Sequence, residues 1–263
     1  MIRAIRCELV RLKTPSFLLG GMGLIVFFSV LATTIVFLTV GGESAGGPPG
    51  TQRITTQALE ASDGMFAGLQ NFVGMLGIVT LAMWAMAVTS DYSSGLIRLL
   101  VQAQPNRLQL LGGKVVALTA FTCLSTLVAT IAVLVVSPGV ASLGDVSTNA
   151  WSSGLLGTAL EAYVQLTLCV LMWGVIGLLV GMLTRSAGIS IGIGIGYLMI
   201  FEGLAGMLFD SAQKWLPGSA FSVIASGGST DMAFGTAAFV AGAYAVGALV
   251  LTAVTFRRRD ITA

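Results

Sequence analysis

The stretch Asp91–Lys114, DYSSGLIRLLVQAQPNRLQLLGGK, is the longest base-bearing insert between the apolar segments of this chain, and its reading decides the fold. Asp91 closes one apolar segment. Leu96, Leu99 and Leu100 then form a small apolar face, Pro105 interrupts, and Asn106-Arg107 opens the next helix. A short helix with apolar knobs and a few charges, held between two membrane-crossing helices, has the shape of a segment that docks into a partner's groove. Many polar loops share that shape, so the residues alone leave the choice open.

Outward from this loop the chain is nearly all apolar. Of its 263 residues 56% are hydrophobic and 9% charged, with a net charge of +2, and the mean hydropathy is +0.94. A water-soluble domain carries about 25% charged residues. The composition therefore excludes a soluble enzyme or binding module and predicts an all-α integral membrane protein forming a single domain over 1–263. Crossing a hydrocarbon core of about 30 Å takes roughly 20 apolar residues. Six segments pass that test: 17–40, 67–89, 115–136, 155–183, 188–209 and 234–256. Only Thr184-Arg185-Ser186-Ala187 separates the fourth from the fifth, enough for a tight turn. The first apolar run is longer than the roughly 7–15 residues of a signal-peptide core, and no A-x-A site follows, so it is expected to be retained as a span.

Before the first span, Ile2, Ile5, Leu9 and Leu12 fall on one helical face. Arg3, Arg6 and Lys13 cluster on another, and Arg11 lies opposite the apolar face. This pattern fits a helix lying in the membrane interface, ended by Pro15; it also fits a plain positive flank that orients the first span. With the N-terminus inside, eleven of the thirteen bases fall on the inner side and only Arg53 and Lys214 outside. The positive-inside rule then places both termini in the cytosol.

The outer segments carry weaker signals. Gly41–Asp63 opens with Gly and Pro and becomes helix-compatible; Ser137–Gly154 reads as a small polar loop. Asp210–Asp231 sets Trp215, Leu216, Phe221, Val223 and Ile224 around Pro217-Gly218. That is either a re-entrant hairpin buried by protein or an ordinary loop with Trp215 at the interface. Gly188, Gly192 and Gly196 form one stripe on the fifth span, and Gly174, Gly177 and Gly181 mark the fourth; both suit close helix packing, within the chain or between chains.

Several chemistries lack their residues. There are no histidines, the three cysteines are scattered, and Gly112-Gly113-Lys114 is no P-loop, because Val115 follows it and leucine replaces the first glycine. The G-x-S-x-G elbow and the G-x-G-D motif of intramembrane aspartyl proteases are absent. No catalytic residue, metal site or cofactor of its own is expected. Two carboxylates lie in or beside spans, Glu161 near the start of the fourth and Glu202 in the fifth, about 25 Å along the helix from Arg185 at 1.5 Å per residue. Intramembrane acids are functional candidates by default, and these two are either the candidates for a substrate pathway or acids facing water at the outer boundary.

The pattern Asp91-x-x-x-Gly95-x-Ile97-Arg98-x-Leu100, followed by Pro105-x-Arg107 and Lys114, resembles the signature of the permease subunits of type-2 ATP-binding-cassette exporters. Their pattern runs roughly E-x-x-x-G-T-x-R-x-L-L, then P-x-R, then a lysine entering the third span. Asp91 stands where glutamate is usual and Leu96 where threonine is usual. Glu8-Leu9-Val10-Arg11-Leu12, Leu216-Pro217 and the basic end Arg258-Arg259-Asp260-Ile261 agree with the family's other marks, so the resemblance covers the whole chain and is most specific at 91–114.

The resemblance implies a half-transporter that pairs with a second permease chain, identical or homologous, and with two nucleotide-binding ATPase subunits that bind ATP and magnesium. The 91–107 loop would be the coupling helix, with Asp91, Gly95, Ile97, Arg98, Leu99, Leu100, Pro105 and Arg107 at the ATPase. The N-terminal segment, with Arg3, Arg6, Glu8, Arg11 and Lys13, would be the elbow helix. A re-entrant hairpin would separate spans five and six. The setting expected is a bacterial plasma membrane, with lipid and no nucleic acid as further partner. The alternatives are an ATP-independent carrier or channel, for which only Glu161 and Glu202 offer a coupling-ion site, or a subunit acting mechanically on the envelope.

Overall fold

The computed structural model describes residues 2–12, 14, 17–40, 54–103, 106–208, 215–229 and 232–258. Lys13, Pro15, Arg53, Pro105, Lys214 and Arg259–Ile261, all read above for orientation or motif, lie outside the described residues, as do the side chains of Arg3 and Arg98.

Every element among the described residues is helical, and six helices are long and apolar enough to cross a membrane. In order these spans are Leu18–Thr39, Val73–Ser93, Arg107–Leu143, Leu155–Thr184, Ala187–Ala205 and Phe234–Arg258. Helices are expected here because a backbone crossing lipid must satisfy its own N–H and C=O groups. The chain is a multi-pass membrane protein.

Spans 2 and 4 form the centre. In each, 61% of the most apolar stretch is buried, against 11% in span 5. They meet through reciprocal tryptophan-on-glycine contacts. The Trp173 indole lies across Gly77, where an added Cβ would fall 2.2 Å from its ring, and Trp84 lies across Gly174 at 2.7 Å. Gly177 rests on the backbone of Leu81, and Gly181 on that of Ala85. Lipid tails are as apolar as leucine, so close van der Waals approach and interhelical hydrogen bonds hold such a pair together. Trp84 adds one of these, its indole N–H donating to Thr122 of span 3 over 3.0 Å.

The sequence expectation differs from the structure at span ends. Span 3 runs 37 residues rather than the 22 of 115–136, roughly 55 Å at 1.5 Å per residue, and so projects beyond the hydrocarbon. It begins at Arg107 because Asn106 caps it, accepting from the Gln109 N–H at 3.3 Å. It passes Lys114 because that charge is neutralised (below). At the far end it continues through Pro138 to Leu143, shortening the expected 137–154 loop; Ser137 is buried and donates to the Met65 carbonyl at 2.9 Å. Span 2 starts at Val73 rather than 67, since Ala67–Asn71 is a separate short helix. Glycine at 68 lets that helix rest on Thr33 of span 1.

The 210–231 segment contains a helix, Pro217–Ala225, with proline in its first turn, where the missing N–H costs nothing. Pro217, Ala220, Phe221, Ile224 and Ala225 are buried. Phe221 meets Trp173 edge-on at 5.1 Å between ring centroids, and its carbonyl accepts from the Cys169 thiol. This helix inserts among spans 2, 4 and 6, whereas Trp215 before it is exposed.

Candidate functional site

Four charged side chains from three separate helices converge at one end of the bundle. The N-terminal helix Ile2–Leu12 brings Glu8 and Arg11, three residues apart and therefore on one face. Span 2 brings Asp91 and span 3 brings Lys114. Glu8, Asp91 and Lys114 are buried at 4%, 1% and 6% exposure. Lys114 Nζ donates to Glu8 Oε2 at 3.1 Å and to the Ala87 carbonyl at 3.1 Å, and lies 2.8 Å from Asp91 Oδ2. Those three acceptors match the three protons of an ammonium. Arg11 donates to Glu8 Oε1 at 3.2 Å and, through its other terminal nitrogen, to Asp91 Oδ1.

Two acids facing two bases leave the cluster neutral, which is the condition under which buried charge is tolerated. Burial pushes the Arg11 guanidinium down, but the hydrogen bond and charge of Asp91, helped by Glu8, outweigh it and hold it above its ordinary value. The arrangement fastens the N-terminal helix to the ends of spans 2 and 3, where the 91–107 loop begins.

From this anchor the loop leaves through a helix cap. Gly95, at φ +68°, takes the left-handed position that ends span 2. The helix Leu96–Ala103 follows, with Ile97 buried, Leu96 and Leu100 half-buried and Leu99 62% exposed. The predicted apolar face is thus divided: Leu96 and Leu100 are half-buried and Leu99 is exposed, while Ile97, outside that face, points to the bundle. Arg107, grouped with the docking residues by sequence, donates to the Phe256 and Arg257 carbonyls at 3.3 and 3.4 Å. It caps the end of span 6, as a cation does at a helix C-terminus. Asp91 likewise faces inward, into the cluster. The next residue, Tyr92, lies under the Arg185 guanidinium at 5.3 Å and donates to Met182 Sδ, tying the loop to the turn between spans 4 and 5. Arg6 is exposed on the N-terminal helix.

Sequence reasoning placed Asp91 and Glu8 in two separate groups and left Lys114 out of both. The signal available was Lys114 itself, a lysine inside an otherwise apolar helix, which demands a buried acid.

The two intramembrane acids lie apart. Glu161 is exposed and accepts from Gln165 at 3.1 Å. Glu202 is half-buried; its Oε1 accepts from the Tyr197 hydroxyl at 3.0 Å and from the Gly218 N–H at 2.7 Å. The structure does not bring Glu161 and Glu202 into one site.

No curated protein matches the chain. The sequence profile of a family described as "Protein of unknown function (DUF2705)" matches residues 24–262. Since that match takes in nearly all of the 263 residues, the chain belongs to this family.

Proposed function

We propose that this protein is the transmembrane permease subunit of an ATP-driven exporter of the type-2 ATP-binding-cassette class, forming the substrate pathway while separate ATPase subunits supply the energy. The observation that carries the reading is the mounting of the Leu96–Ala103 helix. It hangs from a buried, neutral ion cluster that joins three elements at its base, and it turns Leu99 outward. A loop that only connected two spans would need no such foundation; one that receives a push and passes it to the spans does. In this reading the N-terminal helix is the elbow helix, Leu96–Ala103 the coupling helix, Pro217–Ala225 part of a re-entrant hairpin on the outer side, and the basic end cytosolic in a bacterial plasma membrane.

A second permease chain fits span 5. A side chain added at Gly188, Gly192 or Gly196 would meet no atom within 4 Å, so the stripe has no partner among the described residues. Small-residue stripes of this kind let two helices approach closely in lipid.

The test is co-purification in mild detergent from the native host. A stoichiometric nucleotide-binding subunit is expected with the wild-type chain. Leu99→Asp, which places a charge on the exposed knob without touching the cluster, is expected to reduce its recovery at least tenfold, a loss of about 1.4 kcal/mol or more in binding. A chain that purifies alone and transports in liposomes under an ion gradient would overturn the reading in favour of an ATP-independent carrier.

A further inference from the structure

Span 5 is attached to the bundle unevenly. Its first part, Ala187–Gly196, is seated: Ser190 is buried, and Gly194 lies against the Leu81 side chain of span 2, with 2.9 Å left for an added Cβ. Above it the helix widens into one π turn, Tyr197–Phe201, none of whose residues is buried, and then continues as Glu202–Leu208. Met199, Ile200, Phe201, Leu204 and Leu208 are all exposed.

Tyr197 and Leu198 at the π turn pack against the core; beyond them, among the described residues, Glu202 ties the upper part to the neighbouring helix. Its Oε1 takes the Gly218 N–H at 2.7 Å and the Tyr197 hydroxyl at 3.0 Å. Gly218 opens the helix Pro217–Ala225, which is itself locked into the core through Phe221 and Trp173. The contact is close: an added Cβ at Gly218 would fall 1.9 Å from Glu202 Oε2, so a larger residue there would push the carboxylate, the free end of a flexible side chain, out of its place. A π turn inserts one extra residue into the α register and recurs at functional sites. Its conversion to α geometry rotates everything above it by about 100° relative to the part below, one residue's worth of helix. That rotation carries Glu202 off Gly218.

We infer that the upper half of span 5 is a hinged segment, with the π turn Tyr197–Phe201 as the hinge and the Glu202–Gly218 contact as the latch that holds it closed. Glu202 is thus a positioning residue, and the substrate-contact role read from its sequence is not required. The consequence for transport rests on the exporter reading: span 5 would form one wall of the outer part of the pathway, and releasing the latch would open it. The latch itself does not depend on that reading.

The test uses the isolated full-length chain in lipid nanodiscs, without ATPase or substrate. Cys7 and Cys123 are replaced by serine and alanine, and the buried Cys169 is retained. Spin labels go at Leu204 and Phe239, both exposed, with a control pair at Ile193 and Phe239. Two opposite changes should release the latch: Glu202→Ala removes the acceptor, and Gly218→Ala keeps the carboxylate but denies it room. Both are expected to shift or broaden the 204–239 distance by up to roughly 8 Å, the travel of a surface atom when a helix about 10 Å across turns by 100°. The 193–239 distance should stay fixed, and Glu202→Gln, which keeps an acceptor oxygen, should stay near wild type. An unchanged 204–239 distance in both variants overturns the latch. So does a 193–239 distance that moves with it, since the whole span would then be shifting. Failure of an ATPase to co-purify would sink the exporter reading and leave this result standing.

Discussion

Lys114→Met is expected to be among the most destabilising single substitutions at the basic end of the bundle. It removes the ammonium that faces Glu8, Asp91 and the Ala87 carbonyl, leaving two buried carboxylates to share Arg11, which already bonds both. Breaking a buried ion pair by deleting one partner costs about 3–5 kcal/mol, chiefly because the surviving charge stays buried. The apparent melting temperature in detergent should fall sharply, with the N-terminal helix becoming accessible to protease. Adding Asp91→Asn to Lys114→Met leaves one acid facing one base, Glu8 and Arg11, and should recover much of the loss. A melting curve unmoved by Lys114→Met would mean that the cluster does not anchor the helix.

That cluster also marks the boundary of what the sequence discloses. The 91–114 loop could be singled out because its landmarks are local: a glycine after a span, apolar residues three and four apart, and a proline before a basic residue. The partnership could not, because Arg11 and Asp91 are 80 residues apart and Lys114 and Glu8 are 106 apart. Helical periodicity speaks only to neighbours on one helix. The same limit shaped the bounds of span 3. Local signals mark the helix opening at Asn106-Arg107, but a hydropathy reading begins the span only after Lys114, because a lone lysine is costly in lipid and the Glu8 and Asp91 that neutralise it lie on other elements.

Elsewhere local pattern was sufficient or misleading for definite reasons. Six spans were legible because length and apolarity are set by bilayer thickness. The burial of Phe221 and Ile224 was foreshadowed by apolar residues flanking Pro217-Gly218, but the partner that makes it favourable, Trp173, comes from another span. Glycines posed the converse problem. Gly174, Gly177 and Gly181 on span 4 and Gly188, Gly192 and Gly196 on span 5 look alike as spacings. The first set is packed against span 2 and the second meets nothing among the described residues. A small residue says that something can come close, and only the fold says whether it is already there.

The contrast between those two stripes yields an expected result of its own. Gly177→Ala should disrupt the fold, whereas Gly192→Ala should not. At Gly177 the new methyl would lie 2.3 Å from the Leu81 carbonyl oxygen and 2.8 Å from its Cα, all backbone, so no side chain can rotate away. Spans 2 and 4 must separate, and the reciprocal seating of Trp84 on Gly174 and Trp173 on Gly77 loosens with them. Overpacking in a well-filled core costs about 1–3 kcal/mol, and this contact sits at the upper end of that range because both sides are rigid. At Gly192 the methyl enters open space, and alanine favours the helix by about 1 kcal/mol over glycine in intrinsic propensity. Monomer stability of Gly192→Ala should therefore equal or exceed that of the parent. Gly192→Leu separates the remaining roles: if a second chain packs on this stripe, the bulkier side chain should abolish the dimer seen by in-membrane crosslinking while leaving the melting of the monomer unchanged. Equal losses from Gly177→Ala and Gly192→Ala would show that span 5 is packed within the chain after all, and that the face assigned to a partner is already occupied.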